Sequence, residues 1–296
     1  MKTVTIVGAG RLGSALAIAL GRQGYTIDEL VYRTSAPTDD ILELLPGGST
    51  YSSVDGDLRI KSEITLITTQ DTEIEAAAAK LCGKVFSSVI LHTSGSLASS
   101  VLDQLRTDTT AVGSMHPLVS VSEPVSGSAR FTGAYFCIEG DDRAVETAKS
   151  LAADIGALTF SIPTKAKSLY HAAAVMSSGH IVALTETAAN VLEECGIGAR
   201  DARSILMPLI ESTIDNLKRQ SAARSMTGTY ARLDEPAFYR HVSALEGSAD
   251  DLTLSIYLDL AIRSLQIVKS TSSEPAAVDK MLDEVNIAKR NRRVIK

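Results

Sequence analysis

Residues 8–13 read Gly8-Ala9-Gly10-Arg11-Leu12-Gly13. A β-branched apolar run precedes them at residues 3–7, and Ala, Leu and Ile follow with helical spacing over residues 12–22. Glycine at these positions favours a tight strand-to-helix turn in which the backbone of Gly10 is open to a ligand and Gly13 lets helix and strand pack closely. The unpaired N–H groups and positive dipole end of the helix would attract phosphate groups. The alternative is a glycine-rich turn without a ligand.

Strand and helix patterns alternate through the first half of the chain. Candidate strands occupy residues 3–7, 27–32, 64–69, 85–92, 111–114, 134–139 and 157–162. Helical spacing covers residues 12–22, 38–45, 72–81 and 143–155. This order predicts an α/β Rossmann fold, which is a doubly wound and mostly parallel sheet with helices on both faces.

Strand signals cease after Pro163. Helical patterns follow at residues 165–194, 201–219, 250–269 and 276–290. The sequence therefore predicts a dinucleotide-binding Rossmann domain over residues 1–163 and an all-α C-terminal domain over residues 164–296.

Composition excludes several classes of function. The chain has 296 residues and a formal net charge of −6, and so lacks the basic surface that nucleic acids and anionic membranes require. No apolar run is long enough to span a membrane, and residues 2–7 are too few for a signal peptide. Three distant cysteines without a CxxC motif suggest neither a disulfide framework nor a metal site. We expect a cytoplasmic protein that binds a small-molecule substrate and no metal.

The end of the second strand bears on the choice of coenzyme. An acid about 20 residues after the glycines would bind the ribose 2′-hydroxyl of NAD, but the chain here reads Tyr32-Arg33-Thr34-Ser35. The guanidinium of Arg33 and the hydroxyl of Thr34 suit a 2′-phosphate. We therefore expect NADP, the alternative being a solvated arginine.

Polar residues end three later strands, where ligands of open α/β sheets bind. They are Thr69, Ser94 in the segment 92–96, and His116 before Pro117. We expect Thr69 and Ser94 to contact the coenzyme and Ser94 and His116 to lie near the substrate. Ordinary structural roles are the alternatives: Asp71 or Thr72 as a helix cap, a plain polar turn at Ser94, and a structural histidine.

Lys167 and His171 stand four residues apart at the start of a helical pattern and so share one face. An ammonium or imidazolium there can donate a proton to a carbonyl oxygen or imine nitrogen while hydride arrives at carbon. The alternative is a surface lysine beside a capped histidine.

These motifs occur in a familiar order: the glycine turn, then residues 92–96, 115–117, 167–174 and 227–241. Over nearly its whole length the chain resembles a family of Rossmann-like proteins with a C-terminal helical domain of unknown function. That family is related to pyrroline-5-carboxylate reductase, ketopantoate reductase, the 6-phosphogluconate and hydroxyisobutyrate dehydrogenases and deazaflavin-dependent NADP reductases.

The resemblance implies a proton-transfer role for the lysine that Lys167 matches. His171 stands where several of these dehydrogenases have asparagine, and Thr229 and Leu233 replace the Pro and Gly usual in the segment near Thr227. The resemblance also implies a homodimer formed largely by the helical domains.

Three functional hypotheses follow. The first is an NADP(H)-dependent oxidoreductase in which Lys167 or His171 donates a proton to a small carbonyl or imine. The second is a sensor or scaffold that binds NADP(H) without turnover. The third is an NADP reductase that uses a deazaflavin partner.

Overall fold

The computed structural model describes residues 2–34, 36, 38–247 and 251–294. The chain divides into two compact units, Met1–Ser178 and Gly179–Lys296.

The first unit is built on an eight-stranded sheet. Its strands are β1 (Thr3–Val7), β2 (Thr26–Tyr32), β3 (Thr50–Ser53), β4 (Ile64–Ile67), β5 (Val89–His92), β6 (Ala111–Pro117), β7 (Tyr135–Gly140) and β8 (Leu158–Phe160). The spatial order is β3-β2-β1-β4-β5-β6-β7-β8, and β7 runs antiparallel to β6 while the other neighbours are parallel. The predicted doubly wound, mostly parallel sheet is confirmed.

Helices cover both faces of this sheet. The helices of this unit are α1 (Arg11–Arg22), α2 (Asp39–Leu42), α3 (Asp71–Leu81), α4 (Pro124–Ala129), α5 (Asp142–Asp154) and α6 (Lys167–Met176), with 3-10 turns at Ser99–Leu105 and Thr164–Ala166. Alternation along β1 sends Ile6 into the core under α1 and α5, and Val7 into the core under α3. Two apolar cores therefore hold the ends of the strands in place.

Two elements of the first unit carried little sequence signal. β3 has only four polar or aromatic residues at the sheet edge, without a hydrophobic alternation. α4 is a short helix in which Pro124 takes the first position and the Glu123 carboxylate accepts from the N–H groups of Val125 and Ser126. Neither pattern is long enough to show a clear period.

The second unit is helical, as predicted. Its helices are α7 (Gly179–Glu194), α8 (Ala199–Arg219), α9 (Ala222–Ser225), α10 (Gly228–Ala231), α11 (Glu235–Glu246), α12 (Asp251–Lys269) and α13 (Pro275–Val294). Its core is formed by α11, α12 and α13, around Phe238, Leu258 and Met281. No helix in the described part of the chain is both long and apolar enough to cross a membrane.

The predicted helical stretch 165–194 is two helices, which is a correction. The hydroxyls of Ser177 and Ser178 donate back to the carbonyls of Ala173 and Ala174, and Gly179 follows. Such back-bonding and the freedom of glycine favour a break. The first compact unit accordingly continues through Ser178, whereas the change of periodicity at Pro163 marks only the end of the strands.

Candidate functional site

The glycine turn between β1 and α1 has a separate steric reason for each glycine. Gly8 has φ +109°, and a Cβ there would lie 2.8 Å from the Thr69 nitrogen. A Cβ on Gly13 would lie 2.2 Å from the Gly8 carbonyl oxygen. A Cβ on Gly10 would meet nothing within 4 Å, so this position faces open space. Packing therefore explains Gly8 and Gly13 but leaves Gly10 available to a ligand.

The start of α1 and the neighbouring end of β4 present unpaired polar groups. Gly10 offers no side chain to cap α1, and the first turn of the helix contains no acid. Its N–H groups have no partner within the helix and carry the positive end of the dipole. Thr69 Oγ1, beside Gly8, is buried without a hydrogen-bond partner in the described structure. A buried hydroxyl without a protein partner is uncommon, and this one is free to bind a ligand.

A cleft of about 450 Å³ adjoins this turn. The glycine turn, the ends of β2 and β4, and one face of α3 line it. Arg33 and Thr34 contribute from the end of β2, where the sequence predicts them. The Arg33 side chain is 61% exposed and its Nη2 lies 2.7 Å from Oε1 of Glu73.

Two imidazoles lie against the loop after β5. The rings of His116 and His171 meet edge to face, with centroids 5.4 Å apart. A Cβ on Gly95 would lie 2.3 Å from His171 Nδ1 and 2.9 Å from His116 Nε2, so both rings contact the bare backbone of this glycine. His171 Nδ1 is buried without a partner in the described structure. The structure thus brings His171, a predicted proton donor, together with His116, which the sequence predicts to lie near the substrate.

His116 is held as a neutral imidazole. Burial lowers its pKa to about 4, with a further contribution from the nearby His171 and Lys167. Its Nδ1 lies 2.6 Å from the Tyr170 hydroxyl, whose own pKa burial raises. With the Tyr170 hydroxyl as donor to Nδ1, the ring hydrogen lies on Nε2, which is the nitrogen near Gly95.

Lys167, which begins α6, is buried rather than on the surface. Its ammonium donates to the Ser94 carbonyl at 3.2 Å and to the Ser114 hydroxyl. Glu139 Oε1 lies 3.4 Å from Nζ. Burial lowers the pKa of Lys167, while the charge of Glu139 opposes that shift. The alternative of a surface lysine is wrong.

The loop after β5 is held by its own hydrogen bonds. The Ser94 hydroxyl accepts from the N–H groups of Ser96 and Leu97, and the Ser94 N–H donates to His92 Nδ1 at 3.1 Å. Burial lowers the pKa of His92 to about 3. Ser94 therefore shapes the turn on which Gly95 is presented.

Asp71 does not cap α3, which corrects an alternative considered above. The residue at the N-cap is Gln70, and no side chain caps it. Asp71 instead accepts a hydrogen bond of 2.6 Å from the Ser96 hydroxyl. This contact joins the start of α3 to the loop after β5.

Some contributors to this cluster were not predicted. Ser114, Glu139 and Cys137 lie inside strands that read as apolar runs, and the helical pattern at Lys167 and His171 assigns no role to Tyr170. The segment 227–241 belongs to the second unit, where His241 Nδ1 lies 2.9 Å from the Tyr257 hydroxyl. Within the described residues, no three His, Cys, Asp or Glu side chains are grouped as metal ligands would be.

Comparison with family models divides the chain in two. Residues 1–117 match a Rossmann-like domain, and residues 134–263 match a domain of unknown function, DUF2520. The chain combines a Rossmann-like domain with DUF2520. The DUF2520 match begins at the last two strands, so it includes β7, α5 and the helix α6 that carries Lys167 and His171. No protein of curated function matches the sequence.

Solved structures share the fold along most of the chain. Protein TM1727 from Thermotoga maritima is 22% identical, with a TM-score of 0.67 over 90% of this chain and 98% of its own. Protein BF3122 from Bacteroides fragilis, named for a proposed NADP oxidoreductase activity, is 19% identical, with a TM-score of 0.73 over 89% and 97%. A Plasmodium falciparum pyrroline carboxylate reductase with NADP bound is 12% identical, with a TM-score of 0.57 over 97% and 98%.

Proposed function

We propose that this chain is an NADP(H)-dependent oxidoreductase that transfers hydride between the nicotinamide and a small carbonyl or imine. The observation that carries the proposal is the unpaired buried hydroxyl of Thr69 beside the uncapped start of α1 and the open side of Gly10. These groups fit a diphosphate, because the N–H groups in the first turn of α1 and the Thr69 hydroxyl have no acceptor in the described chain, and Gly10, whose own N–H donates to the Gly8 carbonyl, leaves room for the phosphates.

The residues that would hold the coenzyme follow from this placement. The turn Gly8, Ala9, Gly10, Arg11, Leu12 and Gly13 would bind the diphosphate. Arg33 and Thr34 would bind a 2′-phosphate in the cleft, and Thr69 and Ser94 would contact the rest of the molecule. The NADP-linked names of two structural relatives support the same choice of coenzyme.

The bound coenzyme would supply or accept the hydride. For reduction, the substrate must also gain a proton, and His171 is well placed to donate it because its Nδ1 is unpaired beside Gly95. The neutral His116 would donate a hydrogen bond from Nε2 to the same oxygen or nitrogen and so polarise it. Lys167, whose three contacts are internal, would hold the Ser94 carbonyl and Ser114 beneath the two rings.

The test is turnover of NADPH with a panel of ketones, imines and a deazaflavin, followed as loss of absorbance by the reduced nicotinamide. We expect His171→Asn to lower kcat by at least about 100-fold while leaving the Kd for NADPH within about twofold. The exposed His180 gives a matched control, His180→Asn, which should not change either value. NADPH binding without oxidation by any substrate would favour a sensor or scaffold instead. Oxidation by the deazaflavin alone would favour the NADP reductase.

The second unit supports assembly as a homodimer. α8 has 21 residues, of which only Ala202 is buried, and it exposes large apolar side chains. Among them, Ile205 is 56% exposed and Leu209 is 64% exposed. Clusters of exposed apolar side chains commonly mark protein interfaces. Analytical ultracentrifugation should give twice the chain mass, and Leu209→Asp should shift the equilibrium towards monomer.

The cytoplasm is the proposed compartment. Cys82 and Cys195 are exposed thiols and Cys137 is a buried thiol, and none of the three forms a disulfide. Free thiols persist where the surroundings are reducing.

A further inference from the structure

The cleft beside the glycine turn contains a carboxylate that already contacts the predicted phosphate-binding arginine. Glu73 lies in the first turn of α3, lines the cleft, and its Oε1 is 2.7 Å from Arg33 Nη2. The Glu73 side chain is 30% exposed, so water reaches only part of it. A carboxylate and a phosphate accept hydrogen bonds from the same N–H groups of a guanidinium.

The other cation that lines this part of the cleft is also paired with a carboxylate. Ala76, Ala77 and Lys80 follow Glu73 along one face of α3 and also line the cleft. Lys80 is the other cation on this face, and its Nζ lies 2.6 Å from Asp55. Each lining cation of this part of the cleft, Arg33 and Lys80, is therefore paired with a carboxylate in the coenzyme-free chain. Of the two partners, only Glu73 itself lines the cleft.

We propose that Glu73 is a specificity-determining residue that competes with the 2′-phosphate of NADP(H) for Arg33. This inference rests on the proposed coenzyme site. A 2′-phosphate bound at Arg33 must displace Glu73 or share its guanidinium with it, and in either case two like charges lie close together. NADH has no such phosphate and leaves the ion pair intact. Glu73 thus reduces the preference for NADPH over NADH below what Arg33 alone would give.

The test compares Kd values for NADPH and NADH by calorimetry in the 296-residue chain and its variants. Glu73→Gln removes the charge, keeps the shape, and should tighten NADPH binding by about fivefold while leaving NADH within about twofold. Glu75→Gln, an exposed position on the same helix that does not line the cleft, should change neither Kd. Arg33→Ala should weaken NADPH binding and bring the two Kd values together.

The outcomes separate this inference from the proposed function. If NADPH binds, Arg33→Ala weakens it and Glu73→Gln leaves its Kd unchanged or raises it, the role of Glu73 is overturned and the coenzyme site stands. If neither coenzyme binds the parent chain at millimolar concentration, both the site and the role of Glu73 are overturned.

Discussion

The Nζ of Lys167 lies 3.4 Å from Oε1 of Glu139, and the two side chains are 1% and 8% exposed. Glu139 also accepts from the N–H and hydroxyl of Ser99, each at 2.8 Å. The pair joins the start of α6 to β7 and to the 3-10 turn after the loop of Ser94. A buried charge pair of this kind fixes geometry, because each charge is satisfied only in one arrangement.

Removing the charge of Lys167 should destabilise the first unit. In Lys167→Met the carboxylate of Glu139 stays buried without its cation, and we expect the free energy of unfolding to fall by about 3 kcal/mol. Urea unfolding measures this change. The double variant Lys167→Met/Glu139→Gln should recover at least half of the loss, and the exposed control Lys165→Met should match the parent. A Lys167→Met protein as stable as the parent would contradict this account of the pair.

Alanine at two glycines of the same turn should change different properties, stability at Gly13 and coenzyme binding at Gly10. Gly13→Ala places Cβ 2.2 Å from a backbone oxygen, so we expect a loss of at least about 2 kcal/mol in unfolding free energy. Gly10→Ala has open space around Cβ, so we expect an unchanged melting temperature and at least about tenfold weaker NADPH binding. Melting curves and calorimetry on both variants test this contrast. Unchanged NADPH affinity in Gly10→Ala would mean that the coenzyme does not approach this backbone.

Gly95→Ala should separate turnover from coenzyme binding. The added methyl must displace His171, His116 or both, because Cβ would lie 2.3 Å and 2.9 Å from their ring nitrogens. A displaced ring no longer donates a proton to the substrate in the correct geometry. We therefore expect kcat to fall by at least about 100-fold and the Kd for NADPH to change by less than about twofold. Gly47→Ala, where Cβ meets nothing within 4 Å, is the control. Full turnover in Gly95→Ala would exclude the two rings from the chemistry.

The buried His92 should make the chain less stable in mild acid. Its pKa is lowered to about 3 by burial and by the charge of Lys167, whereas an unfolded histidine titrates near pH 6.5. At pH values between these two, His92 binds a proton in the unfolded chain but not in the folded chain. The free energy of unfolding therefore falls as pH falls. The contribution of one such group is at most about 1.4 kcal/mol per pH unit.

Urea unfolding at several pH values between about 7 and 5 measures that slope. His92→Gln should show a shallower dependence than the parent, since the titrating group is gone. His180→Gln, at an exposed position, should keep the parental slope. Equal slopes for the parent and His92→Gln would show that His92 does not cause this part of the pH dependence.

The sequence predicts the strands, helices and glycine turn that carry the site, because these elements depend on local patterns. The glycine turn needs a β-branched strand before it and a helix after it, and both are visible over residues 3–22. Alternation along each buried strand and the 3.6-residue period of α1, α3 and α5 are likewise local. The position of Arg33 at the end of β2 follows from counting residues from the glycine turn to the end of the second predicted strand.

The sequence does not predict the partners that arrive from distant strands. Glu139 reaches Lys167 through the antiparallel β7, and its strand reads as an apolar run that gives no sign of a buried acid. Glu73 has the pattern of an ordinary first-turn acid, and only the fold brings it to Arg33. The break at Ser177 and Ser178 was missed because serine and glycine weaken a helix by amounts that tertiary packing often overrides.

We infer that the start of α1, with Gly10 and Thr69, binds the diphosphate of NADP(H). Calorimetric titration of the purified 296-residue chain with NADPH tests this binding most directly. We expect saturable binding of one NADPH per chain, tighter than that of NADH. No measurable association of either coenzyme at millimolar concentration would contradict it.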